Sequence, residues 1–269
     1  MTDAYFMDNV TIITGASSGI GRELAFQLTE LGAWLSLADC NTEQLKETST
    51  ICRQRGGQTL VIDTDVGQKS RCKNLIEQTV AAYGRIDSLI NNAGITMVSR
   101  FDQTRAPELI ERVMQVNFFG SVYCTYYALP YLKKSQGRIV AISSLAGKTG
   151  LPGRSGYAAS KHAMAGFFDT LRLELADDGV SVTTIFPGFV ATNLRQLAIG
   201  PDGRLLEKSP VRELKAMTAE MCARQIIRAV ALRKRELIMT GRGKIGLWLK
   251  LIAPGLVDRM ARSAAAQGQ

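Results

Sequence analysis

A glycine-rich turn between a predicted strand and a predicted helix constrains the fold of this chain more than any other feature. Asn9–Thr14 (NVTIIT) is a short apolar, β-branched run of the kind found in buried parallel strands. Gly15–Gly21 (GASSGIG) follows directly, and an amphipathic helix is predicted from about Arg22 to Leu31. Glycines let the backbone approach an anion, and the first amides of a helix point towards it. This order predicts a phosphate-binding turn, although the spacing G-x-x-x-G-x-G differs from the common dinucleotide pattern and an ordinary βα turn is the alternative.

The same alternation of strand and helix continues along the chain. Further strands are predicted at Trp34–Asp39, Thr59–Asp63, Ser88–Asn91, Gly137–Ser143, Val180–Phe186 and Glu236–Thr240. Further helices are predicted at Thr42–Arg55, Lys69–Tyr83, Ala106–Lys134, Tyr157–Asp177 and Ala219–Arg233. Such alternation predicts an α/β fold, a doubly wound parallel sheet (Rossmann-like) that binds ligands at the carboxyl ends of its strands. We predict a single domain over residues 1–241 and a variable C-terminal extension over residues 242–269.

An acidic residue, Asp39, ends the second predicted strand. A carboxylate at this point can accept hydrogen bonds from both ribose hydroxyls of an adenosine, and it repels a 2′-phosphate. The nearby positions that would suit a phosphate-binding basic residue hold Ser18, Cys40 and Asn41 instead. Asp39 therefore favours NAD over NADP, with a solvated carboxylate at a strand end as the alternative.

Other polar or small residues also stand where predicted strands end. Asp65-Val66 follows the third strand, Asn91–Gly94 (NNAG) the fourth, and Pro187-Gly188 the strand Val180–Phe186. Asn91 either stabilises the central strand or contacts a ligand directly. Asn117 is a polar residue in an apolar part of a predicted helix, which requires a hydrogen-bonding reason, either a local kink or a bound water.

Ser144, Tyr157 and Lys161 form the candidate catalytic set. The i, i+4 spacing places Tyr157 and Lys161 on one helix face, where the ammonium group would lower the pKa of the tyrosine hydroxyl. Ser144 follows a predicted strand and can donate a hydrogen bond to a carbonyl or alkoxide oxygen. Together these groups can move a proton on or off a carbinol oxygen. A lone Tyr-x-x-x-Lys pair is also common on helix surfaces, so the assignment depends on the rest of the chain.

Composition narrows the classes of function. The formal net charge is +9, but the basic residues are dispersed, so we predict no nucleic-acid partner and favour a diphosphate cofactor or an anionic lipid surface. The five cysteines are scattered and lack metal-ligand spacing, so we read them as reduced, packed thiols and expect no metal site. His162 is the one histidine and is read as a helix residue. We expect neither a signal peptide nor a membrane-spanning helix. The reduced cysteines favour a cytoplasmic protein, with peripheral contact to a membrane as the alternative.

The chain resembles the short-chain dehydrogenase/reductase family in its compact single-domain form. The resemblance runs from about Val10 to Thr192, and more loosely to about Thr240. The motifs that carry the resemblance occur in the family's order: TGASSGIG at Thr14–Gly21, Asp65-Val66, NNAG at Asn91–Gly94, Asn117, Ser144, YAASK at Tyr157–Lys161 and PGFVAT at Pro187–Thr192. The glycine spacing of this family is the one found here.

The resemblance implies a role for each matched residue. Tyr157 would be the acid/base, Lys161 would lower its pKa and bind the nicotinamide ribose, and Ser144 would orient the substrate oxygen. Asn117 would hold a water that links Lys161 to solvent, Asp65 would contact the adenine, and Val190 and Thr192 would border the nicotinamide carboxamide. The complete predicted cofactor-binding set is Gly15, Ser17, Ser18, Gly19, Ile20, Gly21, Asp39, Asp65, Val66, Asn91, Ala93, Gly94, Tyr157, Lys161, Pro187, Gly188, Val190 and Thr192.

Two C-terminal segments bear on the substrate. The family's equivalent of residues 193–217 closes over the substrate, so we predict a substrate lid there. Gly243–Met260 combines apolar residues around Trp248 with flanking lysines and arginines, and it can serve a subunit interface, the substrate pocket or a membrane surface. Each of these favours an apolar alcohol, such as a lipid-, steroid- or retinoid-like one.

The expected activity is hydride transfer between NAD and a secondary alcohol or ketone. An NADPH-dependent ketone or 3-oxoacyl reductase is the alternative, which Asp39 disfavours. A dinucleotide-binding sensor without turnover is a third reading, which the full set of Asn117, Ser144, Tyr157 and Lys161 disfavours. By the same resemblance, long helices would pair between subunits to give a homodimer or homotetramer.

Overall fold

A parallel sheet forms the centre of the protein in a computed structural model that describes residues 5–192, 198–206 and 216–266. Its strands, in chain order, are β1 (Val10–Thr14), β2 (Trp34–Asp39), β3 (Gln58–Asp63), β4 (Ser88–Asn91), β5 (Arg138–Ile142), β6 (Ser181–Phe186), the short β7 (Val190–Ala191) and β8 (Met217–Thr218), and β9 (Glu236–Ile238). The main sheet has the order β3-β2-β1-β4-β5-β6-β9 with parallel neighbours throughout, while β7 pairs with β8. The strand order reverses between β1 and β4, where such sheets bind ligands.

Helices cover both faces of this sheet. They are α1 (Gly19–Glu30), α2 (Thr42–Gln54), α3 (Lys69–Tyr83), α4 (Glu108–Met114), α5 (Gly120–Ser135), α6 (Ser155–Glu174), α7 (Ala219–Ala231), α8 (Gly241–Ile252) and α9 (Pro254–Ala266). One core cluster joins Leu24 of α1 and Ile226 of α7 to the sheet, and a second joins Leu75 of α3 and Phe168 of α6 to the opposite face. The predicted doubly wound α/β fold is confirmed.

The predicted long helix Ala106–Lys134 is confirmed as a continuous helical segment over residues 108–135, but the segment is not regular throughout. It is divided into α4, a π-helical turn at Gln115–Phe119, and α5, which contains Pro130. The π turn lies around Asn117, whose side chain is fully buried. Cys52, Cys72, Cys124 and Cys222 pack in the core, whereas Cys40 is exposed beyond the end of β2, so the prediction that the cysteines pack is wrong for this one.

The C-terminal region contains the predicted lid and extension. Residues 193–197 and 207–215 of the lid lie outside the described residues. Within its described part, Ile199 is buried and forms a parallel bridge with Met97, which follows β4. The extension forms α8 and α9, and Thr240 caps α8 by accepting a hydrogen bond from the Gly243 amide at 3.0 Å. Among the described helices, none combines the length and apolar character that crossing a bilayer requires.

Candidate active site

The predicted site residues lie where neighbouring strands of the sheet end. The glycine turn follows β1, Asp39 ends β2, Asp65 and Val66 follow β3, Asn91 ends β4, Ser144 follows β5, and Pro187 and Gly188 follow β6. Since these strands are parallel neighbours, their carboxyl ends share one edge of the sheet. Tyr157 and Lys161 lie on α6, which packs against this edge beside the turn that begins with Ser144.

The turn after β1 needs its glycines. Gly15 and Gly19 have φ angles of +69° and +55°, which favour residues without a Cβ. A Cβ on Gly15 would lie 2.8 Å from the Cα of Ala93, and one on Gly21 would collide with the carbonyl oxygen of Gly15. Ser18 precedes α1 but its side chain does not cap the helix, so the first amides of α1 keep their donors for an anion. The turn therefore fits the diphosphate of a dinucleotide.

A hydrogen-bond lock holds this turn against the end of β4. Asn92 donates from Nδ2 to the carbonyl oxygens of Thr14 (3.0 Å) and Gly15 (3.1 Å). In return, Thr14 Oγ1 accepts from the backbone amides of Asn92 (3.0 Å) and Ala93 (3.1 Å). Thr14 and Asn92 belong to the motifs Thr14–Gly21 and Asn91–Gly94, but neither is in the predicted set of site residues. The signal in the sequence is positional, because a hydroxyl residue ends β1 and an amide residue directly follows β4, and these strands become neighbours only in the sheet.

The carboxylates of Asp39 and Asp65 both face backbone amides. Asp39 Oδ2 accepts from the Ser17 amide at 3.2 Å and Oδ1 accepts from the Asn41 amide at 3.0 Å. Asp39 thus lies against the glycine turn, where an adenosine ribose would follow the phosphates. Asp65 Oδ1 accepts from the Gly67 amide at 2.9 Å and so shapes the turn after β3.

Two buried asparagines connect the centre of the site. Asn91 donates to Thr125 Oγ1 at 3.0 Å, while its Oδ1 has no hydrogen-bond partner among the described residues. Asn117 Oδ1 accepts from the Ile95 amide at 2.8 Å, and its Nδ2 donates to the Ile95 carbonyl at 3.0 Å and to Ser160 Oγ at 2.9 Å. Asn117 therefore ties the chain after β4 to the first turns of α6, and the water predicted beside it stays a prediction.

The two serines after β5 differ in what they bind. Ser143 is buried and donates to the Lys161 carbonyl at 2.9 Å, so its hydroxyl serves the packing of α6. Ser144 begins a short 3₁₀ turn over Leu145–Gly147, and its Oγ accepts from the Ala146 amide at 3.2 Å. An acceptor role leaves the hydroxyl hydrogen of Ser144 for a substrate oxygen.

Lys161 is buried one helical turn after Tyr157, with its Nζ 5.9 Å from the centre of the tyrosine ring. The Nζ donates to the Ile142 carbonyl at 2.8 Å. Burial lowers the pKa of Lys161 from its usual 10.5 to about 7. Tyr157 also packs against an apolar cluster that includes Met97, Val113 and Ile199. When protonated, Lys161 is a cation in a low-dielectric environment and would act on the neighbouring Tyr157 hydroxyl, so the pair has the composition and spacing of an acid/base.

The chain after β6 links the two ends of the site. The Pro187 carbonyl accepts from the Leu145 amide at 3.0 Å, beside Ser144. Val190 is buried in β7, and Thr192 approaches the glycine turn so closely that a Cβ on Gly19 would lie 3.1 Å from it. Residues 187–192 therefore extend from Ser144 to the glycine turn, along the length that a dinucleotide would span. Among the described residues, no group of three or more His, Cys, Asp or Glu side chains could hold a metal ion.

A dinucleotide cradle on a parallel α/β sheet, with a tyrosine–lysine pair at its far end, defines the site of a nicotinamide-dependent oxidoreductase. The sequence matches the short chain dehydrogenase family over residues 9–199. It is 36% identical over 256 residues to 11-beta-hydroxysteroid dehydrogenase 1A of Arabidopsis thaliana, covering 93% of this chain and 73% of the relative. It is also 36% identical to dehydrogenase/reductase SDR family member 7B of Bos taurus, covering 97% and 83%. The protein belongs to the short-chain dehydrogenase/reductase family, as the motifs predicted.

A solved structure supports the same assignment. A short-chain dehydrogenase/reductase from Burkholderia phymatum, in complex with NAD, aligns with a TM-score of 0.84 and 26% sequence identity. The alignment covers 93% of this chain and 95% of that protein. The chain is thus an oxidoreductase of this family, and the residues of the cradle fit a nicotinamide dinucleotide.

Proposed function

We propose that the protein is an NAD-preferring alcohol dehydrogenase and ketone reductase that acts on an apolar, steroid-like secondary alcohol. The observation that carries this proposal is the buried Lys161 one turn from Tyr157, with Ser144 on the adjoining turn. In the oxidative direction Tyr157, as phenolate, takes the hydroxyl proton of the alcohol while Ser144 donates a hydrogen bond to the same oxygen. The bound nicotinamide supplies the acceptor for the hydride of the carbinol carbon. In the reductive direction Tyr157 returns the proton to the ketone oxygen.

The preference for NAD rests on Asp39. Its carboxylate lies against the Ser17 amide, where the adenosine ribose would bind, and a 2′-phosphate there would meet like charge. The basic residue closest in sequence to the turn, Arg22, is 4.0 Å from Glu47, and its guanidinium also lies over the ring of Phe26. An NADPH-dependent reductase remains the competing proposal.

The apolar substrate rests on two observations. The plant relatives are named 11-beta-hydroxysteroid dehydrogenases. In this chain, Tyr157 borders the cluster of Met97, Val113 and Ile199, which Ile95 and Leu109 extend. A wall of this kind favours a ring or chain of apolar atoms next to the reacting carbon.

One kinetic experiment tests the activity and the coenzyme together. Reduced nicotinamide is followed by absorbance on secondary alcohols of increasing apolar size, with NAD⁺ and with NADP⁺, and Tyr157→Phe as the blank. We expect turnover with NAD⁺ that increases with substrate size and falls by about 10³-fold in the variant. Turnover with NADP⁺ alone would refute the coenzyme assignment. Tight cofactor binding without turnover on any substrate would indicate a dinucleotide-binding sensor and not an enzyme.

We also propose a cytoplasmic homodimer or homotetramer that does not bind nucleic acid. The long helices carry exposed apolar side chains suited to pairing between subunits: Phe119 just before α5, Tyr126 on α5 and Leu173 on α6. Light scattering of the purified protein measures the mass, and a monomer at micromolar concentration would contradict the proposal.

A membrane surface is a further proposed partner. Ile245, Trp248, Leu251, Ile252, Leu256 and Met260 of α8 and α9 form an exposed apolar surface, with exposed fractions from 45% to 82%. Arg242, Arg259 and Arg262 accompany it, so charge favours an anionic lipid surface. We expect phosphatidylserine-containing vesicles to sediment the protein, Trp248→Ser with Ile252→Ser to abolish this, and Leu232→Ser, an exposed leucine elsewhere, to leave it unchanged. Equal sedimentation of the wild type, the double variant and Leu232→Ser would exclude this surface as a lipid-binding site.

A further inference from the structure

We infer that α8 is a positioning element of the active site, and that Lys250 holds the turn that begins at Ser144. The inference concerns the side of α8 that faces the protein and is independent of the proposed lipid contact. It deepens the proposed function, because it adds to the reactive site a residue far from the family motifs in sequence.

The first contact lies at the start of α8. Gly243 approaches Leu145 so closely that a Cβ on the glycine would lie 3.0 Å from the leucine side chain. Leu145 follows Ser144, and its amide donates to the Pro187 carbonyl at 3.0 Å. Thr240, which caps α8, lies 3.1 Å from the Cβ position of Gly188. The first turn of α8 therefore rests on both segments that border the reacting atoms.

The second contact lies near the end of α8. Lys250 Nζ donates to the backbone oxygen of Lys148 at 2.9 Å. The side chain of Lys148 extends in another direction, with its Nζ 3.0 Å from Glu236 and 4.4 Å above the ring of Phe186. Lys148 thus links the turn after Ser144 to β9, β6 and α8.

These contacts enclose a short turn that has few bonds of its own. Its amides at Gly147, Lys148 and Thr149 donate to carbonyls within the turn at 2.8, 3.0 and 3.2 Å. A hydrogen bond from outside, at the Lys148 carbonyl, limits the opening of this turn and hence the motion of the Ser144 hydroxyl. Loss of one such bond costs about 1 kcal/mol, which corresponds to roughly fivefold in an opening equilibrium.

Hydrogen exchange of the protein without cofactor tests the inference without reference to activity. Lys250→Met removes the donor and keeps the aliphatic stem, Lys250→Arg retains a donor, and Lys134→Met replaces an exposed lysine on α5 as the control. We expect exchange at Gly147, Lys148 and Thr149 to increase about fivefold in Lys250→Met and to return towards wild type in Lys250→Arg. Exchange in β1 and α1 should not change in any variant.

Kinetics then separate positioning from binding. We expect Lys250→Met to lower kcat, by at most about fivefold because only the fraction of enzyme with an open turn is lost, with little change in the Kd for NAD⁺, and Lys250→Arg to restore it. Unchanged exchange in the turn would overturn the inference whatever the enzyme's substrate. Faster exchange throughout α8 and β9 would also overturn it, because Lys250 would then serve only the attachment of the helix. Absence of turnover in the wild type would contradict the proposed function and leave the exchange result valid.

Discussion

The turn after β1 and the helix α8 each contain three glycines, but the glycines serve different purposes. In the turn, Gly15 and Gly21 stand where any side chain would strike backbone atoms of the same site. In α8, a Cβ on Gly241 or Gly246 would meet nothing within 4 Å. A glycine is required where two backbones approach each other. In an exposed helix it mainly adds conformational freedom.

A substitution in the glycine turn is expected to reduce both stability and NAD⁺ binding more than the other changes below. In Gly21→Ala the new methyl group meets the Gly15 carbonyl and the Asn92 side chain, which hold the turn against β4. We expect the free energy of unfolding to fall by about 1–3 kcal/mol and NAD⁺ binding to weaken sharply. Urea denaturation and fluorescence titration measure the two quantities. Unchanged values would show that the turn can open to accept the methyl group despite its hydrogen bonds to Asn92.

A second change tests the coenzyme preference at Asp39, whose carboxylate accepts from the Ser17 amide of the turn. Asp39→Ser removes the charge that would repel a 2′-phosphate. We expect the ratio of kcat/KM for NADP⁺ to that for NAD⁺ to rise about 10- to 100-fold. Asp63→Ser, at the exposed end of β3, is the control and should leave the ratio unchanged. A ratio that is equal in both variants would remove Asp39 from the coenzyme site.

The buried charge of Lys161 predicts a pH dependence that exposed lysines lack. Burial lowers the folded-state pKa of Lys161 to about 7, whereas the unfolded chain keeps a value near 10.5. Between these values the unfolded state binds more protons, so the stability contributed by residue 161 rises with pH. Relative to Lys161→Met, the wild type without cofactor should gain up to about 1.4 kcal/mol per pH unit from pH 7 to 9. Below pH 6 the difference should be constant.

Urea denaturation across this pH range measures the effect. Lys134→Met replaces an exposed lysine and should show no such slope relative to the wild type. A flat difference for Lys161→Met would mean that Lys161 keeps its proton in the folded protein throughout.

The smallest expected effect concerns the glycines of the tail. Gly246→Ala adds a methyl group to α8 where no atom lies within 4 Å. Since alanine favours helix over glycine, we expect thermal stability to rise by the equivalent of about 0.5–1 kcal/mol. Calorimetric scans of both variants should give a melting temperature above that of the wild type for Gly246→Ala and below it for Gly21→Ala. Destabilisation by Gly246→Ala would reveal a contact that this face of α8 makes.

Local sequence patterns predict the sheet, its connections and the order of the site residues along the chain. Alternating apolar runs and turn residues are local patterns, and parallel βαβ units bring the carboxyl ends of the strands to one edge of the sheet. Family membership and fold were therefore predictable from the motifs, and the positions of Tyr157 and Lys161 on one helix face followed from their spacing.

The atoms that these residues contact follow from the tertiary structure and not from local patterns. The π turn at Asn117 depends on hydrogen bonds to Ile95 and Ser160. The hydrogen bonds between Thr14 and Asn92 depend on β1 and β4 being neighbours. The hydrogen bond from Lys250 to Lys148 joins residues far apart in the chain. Hydrogen bonds of this kind have no period and no motif, because their partners become adjacent only when the sheet and its helices pack. A sequence pattern reports what a residue prefers locally, whereas such contacts are chosen by the packing of distant segments.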